Sequence, residues 1–378
     1  MKYELKKMIF REEVLILSGL ALVFLGICIA RFETPRLAKM YREEMKRYDG
    51  EYTEIRQQLE ADYQMAMKAE NAGVTGTPEY YRSAVLSNLS GCGEQYDRYF
   101  EERRQMLKEL QTKIETAPTA YIKADFEKAY RAYNCGYSFR VINPNGVQIT
   151  FLETEEDSFD FIFLAFLLAF FCGLFVSERE TKMDLLLYPS KKGKRRLFWN
   201  KIGGAMLALV VASVFFTVVP FFGTWLRNML PLSLIREPIQ CVQRFEMSPY
   251  SISIFGYLLV SVGMHFIAGM FVFAVISLCS VWAKKSLVVF AVAGLPIIGL
   301  SVLGKSEALA KVTKGLDKFG CLQLLDEWKY FVSYDTVNVA GTPVARIVPA
   351  LAFTGVFAMF MLLLTYGGYV GMFRRGGK

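Results

Sequence analysis

Six apolar blocks, each free of Asp, Glu, Lys and Arg, set the pattern of this chain. The first runs from Val14 to Ala30, and the others cover about 161–176, 202–225, 251–282, 287–303 and 347–373. A bilayer core about 30 Å thick is crossed by roughly 20 apolar residues in a helix. Only helices and closed barrels satisfy their backbone in lipid. The blocks are uniformly apolar, whereas barrel strands alternate. The pattern therefore predicts a membrane all-α protein with six transmembrane helices. The fifth block holds Gly294, Pro296 and Gly299.

The polar stretches between the blocks predict the rest. Residues 1–31 form a short basic interfacial segment and the first span. Residues 32–158 form an extracellular, mainly helical domain. Within it Leu37, Tyr41, Met45, Tyr48, Tyr52, Ile55, Leu59, Tyr63 and Met67 recur at steps of three and four, one face of a helix. Residues 79–115 repeat the pattern with Tyr96, Tyr99, Met106, Leu107, Leu110 and Ile114, after a turn at 71–78. An antiparallel helical hairpin follows, then a third helix over about 119–133. The stretches 137–142 and 147–151 flank Asn143-Pro-Asn-Gly146, and Asn-Gly tolerates the positive φ of a tight turn, so a small β-hairpin is predicted there. Residues 159–378 carry spans two to six, with a cytoplasmic segment at 178–200 and extracellular loops at 226–250 and 305–345. The last loop is read as one or two short amphipathic helices, with 334–343 extended.

Charge fixes the orientation. The net charge is +8, but the cations sit at span ends rather than in a nucleic-acid-binding patch. Lys and Arg cluster before the first span, between the second and third (Arg179 to Lys201), between the fourth and fifth (Lys284, Lys285) and after the sixth. Basic residues mark the cytoplasmic side. Six spans put all four clusters on that side, so a multi-pass cell-membrane protein with both termini cytoplasmic is expected.

Candidate chemistry is sparse. Cys92, Cys135, Cys241 and Cys321 fall in outer segments, where disulfides form; paired and free thiols are both open. Cys28, Cys172 and Cys279 fall in spans as small apolar residues. His265, the single histidine, is the one candidate intramembrane polar site, as a helix-to-helix hydrogen-bonding group or as a functional one. No zinc spacing, catalytic constellation or cofactor motif is present. Gly299-Leu-Ser-Val-Leu-Gly-Lys305-Ser306 fits the phosphate-loop pattern G-x-x-x-x-G-K-[ST]. That loop needs a strand before it and a helix after it, whereas here it closes an apolar span. No enzymatic activity is expected of the chain itself.

The segment Phe175 to Lys201 resembles the one after the second helix in ABC-2-type transporter permeases, especially those of Gram-positive bacteria. The matching residues are Glu178, Glu180, Leu185 to Leu187, Pro189 and Ser190, Lys191 to Arg196, and Lys201. The family usually has Gly where Lys182 stands. The six-span layout and the large outer domain resemble the same family. The resemblance implies an exporter permease that dimerises with a second permease and couples to a separate ABC ATPase, which would bind the ATP. It makes Glu178, Glu180, Asp184, Leu185, Leu186, Leu187 and Pro189 the coupling element. The competing reading is a membrane sensor or scaffold whose outer domain binds a ligand and signals through a permease-like fold.

Overall fold

The computed structural model describes residues 52–134, 157–181, 191–227, 230–303 and 321–375, together with Gly19, Leu22, Gly26, Glu43, Arg47, Tyr48, Val147, Thr150 and Phe151. The protein is mostly helical, with one two-stranded sheet.

The polar segment after the first apolar block folds as α1 (Tyr52–Met67), α2 (Pro78–Glu115) and α3 (Ala120–Tyr133). The turn before α2 ends on Thr77, whose hydroxyl accepts from the Tyr80 amide. Pro78 stands at the first helical position, where its missing N–H costs nothing. Thr119 caps α3 in the same way. Leu59 and Ala66 of α1 pack with Tyr48 against Val85, Leu86, Leu89 and Tyr99 of α2, and Arg56 pairs with Asp97 across the two helices at 2.6 Å. The three-and-four spacing thus places Ile55, Leu59 and Tyr63 correctly. Met67 is 52% exposed, because α1 ends there.

The sheet lies elsewhere than predicted. Val147, Thr150 and Phe151, expected in a strand, are helical. The strands are β1 (Thr336–Val339) and β2 (Thr342–Ala345), antiparallel, with Val339 opposite Thr342. Their two-residue turn is Ala340 (φ +50°) and Gly341 (φ +85°), both left-handed as a tight hairpin turn requires. Asn338 Oδ1 holds it by accepting from the Gly341 amide at 2.8 Å. The extended stretch expected at 334–343 is therefore most of this hairpin.

The apolar blocks form a bundle of α4 (Asp157–Phe171), α6 (Lys191–Arg227), α7 (Ile254–Trp282), α8 (Ser286–Val289), α9 (Leu295–Leu303) and α10 (Ile347–Arg375), with the short α5 (Ser177–Glu180) after α4. Three helices are long and apolar enough to cross a membrane: 195–227, 254–282 and 347–371. Those at 160–171 and 286–299 are apolar but shorter. The first predicted span is described only at Gly19, Leu22 and Gly26, all helical. Six spans thus remain an expectation, and three is the number found among the described residues.

Ring contacts fix the helix directions. Asp160 meets His265 and Phe171 meets Phe273, so α4 and α7 run parallel. Phe216 packs on Phe163, while Phe198 packs on Phe175, so α6 runs against them. Phe271 stacks on Phe357, and a Cβ at Gly368 would meet Val281 at 2.9 Å, which sets α10 parallel to α7. At Gly269 side chains of α4 and α6 crowd against α7. A Cβ there would meet Leu209 at 2.6 Å and Phe163 at 3.2 Å, the small-residue contact that lets helices close without hydrophobic drive.

The segments at the α7 N-terminal end gather together. Lys128 of α3 donates to the Pro343 carbonyl at 2.8 Å, Thr336 donates to Asp125 at 2.7 Å, and the Tyr334 amide donates to the Tyr133 hydroxyl at 3.1 Å. The Arg244 guanidinium lies 4.3 Å over Trp328, and Tyr250 packs on Phe331. Met247 reaches the α1–α2 core.

Candidate functional site

Two polar clusters stand out, one at each end of the bundle. The first is built on α5, where Glu178, Arg179 and Glu180 follow one another. Consecutive helical positions point about 100° apart, so these three side chains radiate to three different helices. Glu178 is 5% exposed and pairs at 2.8 Å with Lys201 of α6, itself 1% exposed. Lys201 also donates to the Leu174 carbonyl at 2.6 Å and sits 5.4 Å from the Phe175 ring centroid. The Arg179 guanidinium donates to the Ser280 carbonyl at the end of α7. Glu180 accepts from the Ser286 amide at 2.7 Å and from its hydroxyl at 2.9 Å, supplying an anion to the start of α8, where unpaired amides collect.

The structure thus gives Glu178 and Glu180 internal partners. Lys201, expected to open the third span, stands ten residues inside α6, which begins at Lys191. Asp184, Leu185, Leu186, Leu187 and Pro189 lie outside the described residues.

The second cluster lines a small cavity near the other end, about 30 Å³ in volume. That is room for roughly two waters. His265 sits eleven residues into α7, about 16 Å along it. Its Nδ1 donates to the Ser261 carbonyl at 3.0 Å, and its Nε2 lies 3.4 Å from Asp160 Oδ1 of α4. Glu327, 9% exposed, closes the cavity from the short 3₁₀ turn Glu327–Tyr330. Aromatic walls come from Phe151, Phe216, Phe221, Tyr257 and Trp328. Two hydroxyls, Ser261 Oγ and Thr217 Oγ1, are buried at this cavity without a hydrogen-bond partner.

Of the predicted site residues, His265 therefore acquires a carboxylate neighbour. Asp160, Ser261 and Glu327 were not predicted. Asp160 stands just before the apolar block that opens at Phe161, and the 321–330 segment folds back onto α7 in a way no local pattern announces. Cys241 is buried; Cys135 and the side chains of Cys92 and Cys321 lie outside the described residues, so neither pairing is decided. Cys172 and Cys279 pack in the bundle as apolar residues, and Cys28 lies outside the described residues. Gly299 to Leu303, the first part of the phosphate-loop pattern, are α-helical, not a loop between strand and helix. Among the described residues no group of His, Cys, Asp and Glu is placed to hold a metal ion.

Comparison of the chain with protein-family models, curated proteins and solved structures finds no match to any of them.

Proposed function

We propose that this chain is the permease subunit of an ABC-type exporter, spanning the membrane six times with both termini in the cytoplasm and driven by a separate ATPase. One observation carries the reading. The residues just before segment 182–190 tie into α6, α7 and α8 at once, and the residues just after it begin α6. A force delivered through Glu178 to Glu180 would reach α6, α7 and α8 together. That is the mechanical requirement of a coupling element. The Glu178–Lys201 pair suits the task, because a buried ion pair keeps a fixed geometry that an apolar contact would let slide. The predicted apolar patch Leu185 to Leu187 offers the ATPase a surface, and the exposed apolar face of α10, including Phe353, Val356, Met359 and Phe360, suits lipid or a second permease subunit.

The test is co-purification from mild detergent with the products of neighbouring genes. Wild type should retain an ATPase subunit, and a Leu185→Asp/Leu186→Asp variant should lose it. A Lys201→Met variant should retain the ATPase but fail to alter its hydrolysis rate. If no ATPase accompanies the folded wild type, the exporter reading fails.

A second reading has its own support. The outer α3 is bonded to β1 and β2, and β2 runs directly into α10. A ligand on the outer domain would thus reach the bundle, as a sensor requires. Transport in sealed vesicles separates the two readings, since a sensor moves no solute.

A further inference from the structure

The cavity around His265 has a hydrogen-bonding consequence that does not depend on any partner protein. A carbonyl oxygen only accepts, so the contact of His265 Nδ1 with the Ser261 carbonyl places a hydrogen on Nδ1. A neutral imidazole then presents a lone pair at Nε2. That nitrogen faces Asp160 Oδ1 at 3.4 Å, and an ionised carboxylate also only accepts. Two facing acceptors in a buried site repel each other, and such groups persist in membrane bundles when paired. The contact is satisfied by one added proton, held either as imidazolium facing carboxylate or as imidazole facing carboxylic acid.

We propose that Asp160 and His265 form a proton-binding site within the bundle, hydrated through the cavity that Ser261, Thr217 and Glu327 line. The balance is simple: the pair takes one proton from water on loading and returns it on release, with no other bond made or broken. The orphaned hydroxyls of Ser261 and Thr217 are the second sign of a ligand. Each needs a partner, and the space beside them is water-sized. Among the described residues, charged groups reach the imidazole from two elements: Asp160 from α4, and Glu327 with Asp326 from the 321–330 segment, Asp326 being engaged by Lys329 at 2.7 Å. From α6 the cavity receives Thr217, Phe216 and Phe221, and from α7 itself the phenol of Tyr257. Release of the proton leaves two acceptors opposed across α4 and α7, so loading favours the closed spacing of these helices and release favours a wider one.

Because the chain has a single histidine, its ring nitrogens can be observed alone. The full chain, labelled with ¹⁵N-histidine and reconstituted in lipid nanodiscs, should show one exchangeable proton at the pair near neutral pH. It will appear either as a protonated Nε2 by NMR or as a protonated-carboxyl infrared band that Asp160→Asn removes. In Asp160→Asn the side-chain amide can donate to Nε2, so Nε2 should lose its own proton at the same pH. A wild-type protein with Nε2 unprotonated and no Asp160 carboxyl band would overturn the proposal. If the variant fails to fold, the wild-type ring nitrogens and a protonated-aspartate band assigned by ¹³C-aspartate labelling decide the matter instead. The proton site is independent of ATPase binding, so its failure would leave the exporter reading standing, and the reverse also holds.

Discussion

Replacing Lys201 with Met removes the cation from the buried ion pair between α5 and α6. The pair is nearly water-free, with side-chain exposures of 1% and 7%. In Lys201→Met the Glu178 carboxylate stays buried without its counter-ion, and the Leu174 carbonyl loses its donor. Breaking a buried pair by deleting one partner costs about 3–5 kcal/mol, whereas replacing both by apolar residues of similar volume is often near neutral. The double variant Lys201→Met/Glu178→Leu should therefore recover most of the loss. In a protein of this size each kcal/mol moves the melting point by roughly 2 °C, so the single variant should melt about 6–10 °C lower. Thermal unfolding in detergent, followed by tryptophan fluorescence at one scan rate, reads the order of the three proteins. Because unfolding of such a protein is governed by rate, the ranking carries the test. If the double variant melts no higher than the single one, desolvated charge is not what holds α5 to α6, and the proposed coupling loses its mechanical basis.

Three further outcomes follow from the same structure. Gly269→Val should destabilise by about 1–3 kcal/mol through overpacking, visible as a lower melting point, since the new side chain meets Leu209 and Phe163; an unchanged melting point would mean α4, α6 and α7 are not in close contact there. Asp125→Ala removes the acceptor of Thr336, a hydrogen bond to a charged group worth about 1.5–3 kcal/mol, so hydrogen exchange across β1 should speed up roughly tenfold or more, while α1 and α2 stay unaffected. Burial, followed by the nearby Tyr334 and Asp335, pushes the Tyr250 phenol up to about 12. The folded protein then holds a proton that the unfolded chain gives up near 10, so stability falls as pH climbs from about 10 to about 12. Tyr250→Phe should flatten that decline in a denaturant titration repeated across the window, and an identical slope would exclude Tyr250 as its source.

Hydrophobic periodicity made much of the architecture readable. The α1–α2 hairpin and α3 follow from apolar residues at steps of three and four, and α6, α7 and α10 follow from blocks long enough to cross lipid. The misplacement of the sheet has a specific cause. Asn145-Gly146 carries the stronger turn signal, while the hairpin that forms turns on Ala340-Gly341, where a non-glycine residue accepts φ +50°. There the docking of Thr336 and Pro343 onto α3 outweighs local preference. The site was readable only in part. His265 is conspicuous as the single histidine of the chain, set inside an apolar block. Asp160 lies just outside the block that begins at Phe161, and Glu327 arrives from far along the chain, so their meeting is a tertiary fact. Likewise Lys201 looks like one more topological lysine until the fold sets it against Glu178.

The fifth apolar block is not one uniform rod. Between α8 and α9 the residues Phe290–Gly294 form a π-helical turn, and Pro296 follows within α9. A wide turn beside a proline is where a helix bends most easily. The half before it is clasped at its start by Glu180, whereas Gly294, at the wide turn, lies against Leu168 of α4. This block is therefore a jointed rod with a fulcrum near its middle. A tug on α5 would draw the near half while Gly294 stayed beside Leu168, turning a pull along the bundle into a sideways shift at the joint.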